Sequence, residues 1–330
     1  MNPVVAPAPS PAGRRDRILR VLATIGGVVF GLVLLVAAYA KAIDPDAFAE
    51  SIRAHGLDLG LPSNVLALIA IAVEVGLGVA LVLTMRHRPL LLAASALTLF
   101  FLFLTGKAYV RALQGIVDDA PSCGCFGNLI QRTPGQAFWQ DVLLLVPPLA
   151  LAWLRPTPGP WWRVSRPAAF TLVGTGACAV AFALLAPGLP LDALATRLSE
   201  GMKFDGICAG ADGKAPCLKD VLPIVRQGRH VVVIADLEDK EFRAQVNEIN
   251  SYALDEIGPT LWVLTSAVPA AISKFSLTTG ASFTVISAPA TLVRPLYRRL
   301  PRSFLVEDGT IRRTWSGLPP FTDLSIPPPG

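Results

Sequence analysis

A chain of 330 residues has room for two domains. Hydrophobic residues make up 52 % of it, charged residues only 16 %, and mean hydropathy is +0.53. Most of the apolar content precedes residue 192, which excludes a single water-soluble globule and reads as a membrane part followed by a soluble part. The net charge of +5 does not call for a nucleic-acid partner, because in the membrane part the arginines gather in the short segments flanking the apolar runs, where they act as topology signals.

Residues 1 to 13, MNPVVAPAPSPAG, lack periodicity, and residues 1–17 are expected to be a disordered cytoplasmic tail. Arg14, Arg15, Arg17 and Arg20 precede Val21 to Ala40, twenty uncharged residues, long enough to cross ~30 Å of hydrocarbon. Ala38-Tyr39-Ala40 resembles a signal-peptidase site, but the apolar run exceeds the ~7–15 residues of a signal-peptide core and more spans follow, so a retained helix is expected. Further spans are expected at about Asn64 to Met85, Pro89 to Val110, Ala137 to Leu154 and Pro167 to Leu189. Placing the N-terminus in the cytoplasm puts nine arginines of the short segments inside and five basic residues at or near the outer face. The loop holding Cys123 and Cys125, and everything after the fifth span, then lie outside the cytoplasm in one oxidising compartment.

From about residue 200 short strands alternate with amphipathic helices. Phe204 to Ala209 with the turn Asp212-Gly213 reads as a hairpin, Arg229 to Ala235 and Thr260 to Thr265 as strands, and Lys240 to Glu256 and Val268 to Leu277 as helices. Ser282 to Ile286, Pro301 to Val306 and Ile311 to Trp315 complete the strands, the last two joined at Asp308-Gly309. The expected class is an α-helical membrane bundle followed by an α/β domain closed by an antiparallel hairpin.

The five cysteines fall as Cys123/Cys125, a lone Cys178, and Cys208/Cys217. Two thiols one residue apart in the run Cys123-Gly124-Cys125-Phe126-Gly127, between two apolar spans, are candidates for thiol-disulfide exchange. A disulfide between them closes a very small ring that departs from relaxed geometry, which favours easy reduction. A loop clasp, two unpaired thiols and a two-cysteine metal ligand set are the alternatives, and without a nearby histidine no metal site is expected. Cys208 and Cys217 stand symmetrically about Asp212-Gly213 as a non-hydrogen-bonded pair, which favours a structural disulfide, with exchange toward Cys123/Cys125 as the alternative. Pro216 would cost a ladder donor, so an edge strand or irregular loop is expected there. Glu74, alone in an apolar span, reads either as part of a polar functional cluster or as a structural ion pair. Lys41 is placed at an outer helix end, where it would snorkel, within reach of the same layer. Asp141 reads as a cap or surface residue, and Cys178, among Gly174 and Gly176, as a packing residue. His55, His87 and His230 are scattered and suggest neither metal nor base.

Three segments resemble the MauE family of methylamine-utilisation membrane proteins within the DoxX-like superfamily: Phe30-Gly31 leading to Ala40-Lys41-Ala42-Ile43-Asp44-Pro45, Glu74-Val75-Gly76-Leu77-Gly78, and the CGCFG run. The resemblance covers residues 18–155 and implies a four-helix membrane domain, to which 156–190 would add a cytoplasmic loop and a fifth transmembrane helix. It further implies a role in maturing a disulfide-rich periplasmic amine dehydrogenase subunit beside a thioredoxin-like partner. In residues 191–330 the segment Pro301 to Gly309 resembles the part of the thioredoxin fold that begins with the cis-proline, which implies that Pro301 is cis. Where thioredoxins carry Cys-x-x-Cys, this chain has Asp236-Leu237-Glu238-Asp239, so the fused extracytoplasmic domain lacks that dithiol.

The leading expectation is a multi-pass plasma (inner) membrane protein that exchanges disulfides with an extracytoplasmic client or thioredoxin-like partner through Cys123 and Cys125, with Glu74 and Lys41 as secondary candidates. A non-enzymatic maturation scaffold and a transporter or quinone-linked subunit are the alternatives. A quinone is compatible with apolar helices but is not readable from them.

Overall fold

The computed structural model describes residues 11–54, 56–57, 60–114, 132–160, 165–209, 216–255 and 258–324. The CGCFG run and the Asp212-Gly213 turn lie outside them. The chain divides into two units, one of helices up to Ala186 and one from Pro187 onward.

The first unit holds α1 (Pro11–Ile43), α2 (Pro45–Ala54), α3 (Ser63–Val82), α4 (Arg88–Leu113), α5 (Pro134–Trp153) and α6 (Arg166–Leu185). Among the described residues four helices are long and apolar enough to cross a membrane: α1, α3, α4 and α6. Five spans were expected; α5 is not among these four, its first two turns carrying Gln136, Gln140 and Asp141 and its middle Pro147 and Pro148. α1 begins at Pro11, so helix reaches into the stretch expected to be a tail. Proline is tolerated in a first helical turn and arginine is a good helix former, which lets the helix extend ahead of the apolar run.

Small residues decide which helices touch. A Cβ on Gly31 would lie 2.6 Å from the Gly78 carbonyl oxygen, and a Cβ on Gly26 would lie 2.4 Å from Leu151 Cβ. These glycines bring α1 close to α3 on one side and to α5 on the other. Phe30, Leu34, Leu81, Leu91, Ala94, Leu145 and Ala152 fill the space between α1, α3, α4 and α5. On α5 the buried residues 137, 141, 145, 148, 149 and 152 recur every three or four positions, the stripe of a helix packed on two neighbours.

The second unit is built on one sheet: β1 (Arg229–Ile234), β2 (Thr260–Thr265), β3 (Thr284–Ser287), β4 (Arg302–Glu307) and β5 (Thr310–Ser316), in the order β3-β2-β1-β4-β5. β1, β2 and β3 are parallel neighbours, and β4 and β5 are antiparallel. Alternate residues of the near-continuous apolar strands serve opposite faces. Val231, Val233 and Leu305 pack under α9 (Lys240–Ala244), α10 (Val246–Leu254) and α11 (Pro269–Thr279), joined by Phe321 of α13 (Phe321–Leu324). Val232, Ile234, Phe304 and Val306 face Leu198, Phe204, Leu218 and Leu292, on the side of the short helices α7 (Asp192–Ala195), α8 (Leu218–Val221) and α12 (Ala290–Val293). Parallel strands carrying crossover helices, followed by an antiparallel β4-β5 hairpin beside β1, make this a thioredoxin-like fold. Asp308 (φ 46°) and Gly309 (φ 70°) form the hairpin turn, both central residues left-handed as a two-residue turn matched to strand twist requires.

Two local expectations are corrected. Phe204 to Ala209 is not a strand: Phe204–Gly206 is a 3-10 turn, and pairing is confined to an isolated bridge between Cys208 and Cys217. The expected helix Lys240 to Glu256 is two helices, because the turn tightens at Gln245, whose N–H reaches only three residues back to Phe242.

Candidate functional site

In the membrane unit the close approach of α1 and α3 sets Lys41 against Glu74. Lys41 Nζ donates to both carboxylate oxygens at 2.7 and 2.9 Å, and both residues are buried. The ammonium lies 5.4 Å from the ring centre of Phe48 on α2 and 4.9 Å from that of Phe101 on α4. Lys41 therefore does not snorkel as expected; its α1 position turns into the bundle, where a carboxylate and two aromatic faces replace water. Asp44 ends α1 and accepts the Ala47 N–H at 3.1 Å, so Asp44-Pro45 acts as N-cap and first residue of α2, a helix the apolar pattern did not reveal. Asp141, expected as a cap or surface residue, is buried on the α5 stripe. Lys107 and Cys178 are exposed. The structure brings Lys41 and Glu74 together; Cys123 and Cys125 lie outside the described residues.

In the second unit β1 runs into Asp236 to Asp239, the place of a thioredoxin dithiol. There Asp236 accepts the Glu238 N–H at 2.9 Å, and Asp239 caps α9 by accepting the Glu241 N–H at 3.1 Å. The carboxylates serve the backbone, and no sulfur is present. The Leu300–Pro301 bond is cis. Next to it Arg302 is buried, its Nη1 3.1 Å from Asp192 and 2.8 Å from Ser316 Oγ. Burial holds the Arg302 guanidinium below its ordinary range, and Asp192 opposes that shift. No sequence pattern singled out Asp192 or Arg302; their pairing spans more than a hundred residues.

Cys208 and Cys217 are joined by a disulfide. Ala209 N–H donates to the Pro216 carbonyl and Leu218 N–H to the Ile207 carbonyl, each at 2.9 Å, so the two cysteines form a non-hydrogen-bonded pair between two ladder bonds. Pro216 enters that ladder through its carbonyl alone; without an N–H it returns no bond to the Ala209 carbonyl, the missing donor expected at this position. Arg197, which burial pulls down to about 10, donates to the Cys208 carbonyl at 3.0 Å. His230 is held by the Gln227 carbonyl at Nε2 and by the Trp262 indole N–H at Nδ1, which assigns its proton to Nε2. Among the described residues no group of three or more His, Cys, Asp or Glu is placed to hold a metal.

These features define a multi-pass helical membrane domain followed by a thioredoxin-like domain whose usual dithiol position is carboxylate. Residues 19–155, from within α1 to the end of α5, match the family described as methylamine utilisation protein MauE; α6 and the thioredoxin-like domain lie outside the match. Among solved structures the chain is similar to a putative thiol:disulfide interchange protein DsbE from Chlorobium tepidum, at 18 % identity and a TM-score of 0.29, over 37 % of this chain and 89 % of that one. It is also similar to a thiol:disulfide interchange protein of the thioredoxin family from Chlorobium tepidum TLS, at 16 % identity and a TM-score of 0.29, over 39 % and 93 % of the two chains. Strand order and direction define the fold of the second unit, independently of these two likenesses. No curated protein matches the chain.

Proposed function

We propose that this chain is an integral membrane thiol-disulfide redox or maturation protein acting on extracytoplasmic clients, with Cys123 and Cys125 as the exchanging pair. The observation that carries the reading is the joining, in one chain, of a MauE-type domain that includes the CGCFG run to a thioredoxin-like domain with Asp236 to Asp239 in the dithiol position. Exchange then falls to Cys123/Cys125, and the thioredoxin-like domain serves to dock the client. A client thiolate attacks one sulfur of the Cys123–Cys125 disulfide and expels the other as a thiolate. A second client thiolate resolves the mixed disulfide, so the client gains a disulfide and the pair is left as two thiols. In this reading the N-terminus is cytoplasmic and the thioredoxin-like domain extracytoplasmic. Lys41 and Glu74 are positioning residues, Cys208–Cys217 is a clasp, and the client is an amine dehydrogenase subunit of methylamine utilisation.

The test is covalent trapping in cells. A Cys125→Ser chain should accumulate reductant-sensitive adducts with its clients, and the Cys123→Ser/Cys125→Ser chain should not. Absence of adducts, together with normal client oxidation in the double variant, would overturn the proposal and leave a non-enzymatic scaffold.

A further inference from the structure

The turn between α3 and α4 is built around an arginine that the thiol chemistry does not use. α3 ends at Val82 and α4 begins at Arg88, and both are long and apolar enough to cross a membrane. Residues 83 to 87 therefore lie where hydrocarbon gives way to the headgroup layer. Thr84 is left-handed (φ 61°), and the N–H groups of Thr84 and Met85 close the end of α3 on the carbonyls of Leu81 and Ala80, each at 2.9 Å. The segment after α5 then clamps the turn. Arg86 N–H donates to Thr157 Oγ1 at 3.2 Å, and Thr157 N–H donates to the Arg86 carbonyl at 2.9 Å.

With its backbone fixed, Arg86 folds its side chain onto α1. A Cβ on Gly27 would lie 3.0 Å from Arg86 Cδ, so glycine at that position is what admits the stem. The residue is only 7 % exposed, and Nε and Nη1 are enclosed without a hydrogen-bond partner. Among the described residues no carboxylate pairs with it, and Asp16 at the same end is engaged by Arg155. His87 also buries Nδ1 without a partner. Burial lowers the Arg86 pKa from its ordinary value, yet an arginine remains protonated at neutral pH. A fixed, charged fork with unmet donors at headgroup level calls for a planar or tetrahedral oxyanion. Exposed Arg14, Arg15, Arg17, Arg20 and Arg88 form a basic collar at this end, which favours an anionic lipid over a zwitterionic one.

We propose that Arg86, set between Gly27 and Thr157, is a headgroup site for one anionic phospholipid, whose phosphate oxygens accept from Nη2, the guanidinium nitrogen that is not enclosed. The lipid would bind the bundle where α1, α3, α4 and the end of α5 meet, independently of the thiol pair.

The test uses the full-length chain in detergent, titrated with phosphatidylglycerol, with phosphatidylcholine or with inorganic phosphate and read by native mass spectrometry. One phosphatidylglycerol should be retained per chain, and Arg86→Gln should weaken it by about tenfold or more, the loss expected for a charge-assisted pair. Arg86→Lys, which keeps the charge without the fork, should fall between, and Gly27→Ala should weaken binding by displacing the stem. Arg88→Gln, on the exposed collar, should change it by no more than about twofold. Equal binding by wild type and Arg86→Gln, or equal losses in the Arg86 and Arg88 variants, would overturn the site in favour of diffuse attraction. Displacement by equimolar inorganic phosphate would replace the lipid with a free anion. Should Arg86→Gln fail to fold, as judged by size exclusion and helical circular dichroism, Arg86→Lys and Gly27→Ala decide, and wild-type affinity in both overturns the proposal.

Discussion

Removing either partner of the Lys41–Glu74 pair leaves the other buried without the counter-charge it faces at 2.7 Å. Glu74 is fully buried and Lys41 is 3 % exposed, so neither can recover water without opening the bundle. Breaking a buried pair by deleting one partner costs roughly 3–5 kcal/mol. A lone charged residue at the centre of a membrane helix costs roughly 2.5–3.5 kcal/mol by insertion measurements, which agrees in size. Lys41→Met also empties the faces of Phe48 and Phe101, and Glu74→Leu takes from the ammonium the carboxylate that accepts from it at 2.7 and 2.9 Å. The double variant Lys41→Met/Glu74→Leu removes both charges and keeps much of the volume, so it should regain most of the stability lost in either single variant. The assay is unfolding of the purified full-length chain in mixed micelles with rising denaturing detergent, followed by helical circular dichroism. Single variants should unfold well below wild type and the double variant near it. If the double variant loses as much as the two single losses added together, the residues are not coupled and the pair does not organise this part of the bundle.

Three further outcomes are expected. Gly31→Ala should destabilise the bundle, since its Cβ would meet the Gly78 carbonyl oxygen at 2.6 Å, whereas Gly76→Ala, with nothing within 4 Å, should be neutral or slightly stabilising; comparable losses in the same assay would contradict the α1-α3 contact. Burial pushes Tyr252 up to about 12 while its hydroxyl donates to the Pro259 carbonyl, so its contribution is whole below the unfolded phenol's value of about 10 and is lost as pH rises through about 12, a change of about 2–3 kcal/mol that Tyr252→Phe should abolish in thermal melts across that range. Cys208→Ala/Cys217→Ala opens a bridge of sequence separation 9, for which loop-closure entropy gives roughly 2–3 kcal/mol; unchanged melting of the thioredoxin-like domain would show that the bridge constrains nothing.

The sequence by itself determined the elements whose signals are local. Twenty uncharged residues from Val21 to Ala40 define a span wherever they sit, and β1, β2, β4 and β5 carry β-branched and aromatic runs between turn residues, with Asp308-Gly309 supplying the one turn chemistry a two-residue hairpin needs. The equal spacing of Cys208 and Cys217 about Asp212-Gly213 in the sequence likewise named them as a pair, and the disulfide joins them. Tertiary structure decided what depends on facing partners. Lys41 and Glu74 were each visible, but whether Lys41 reaches water or a carboxylate depends on how closely α1 meets α3, which Gly31 and Gly78 control together. Asp141, read as a cap or surface residue, is buried because α5 packs on two helices at once, and a single helix does not say how many neighbours it has. α2 escaped because ten amphipathic residues carry too little apolar signal beside a span; the Asp44 cap, the packing of Ala49 and Ile52 on Ala67 of α3 and the placement of Phe48 by Lys41 show its role. Arg86 read as one more topology arginine; a charge is told from a site only by which of its donors the fold leaves unmet.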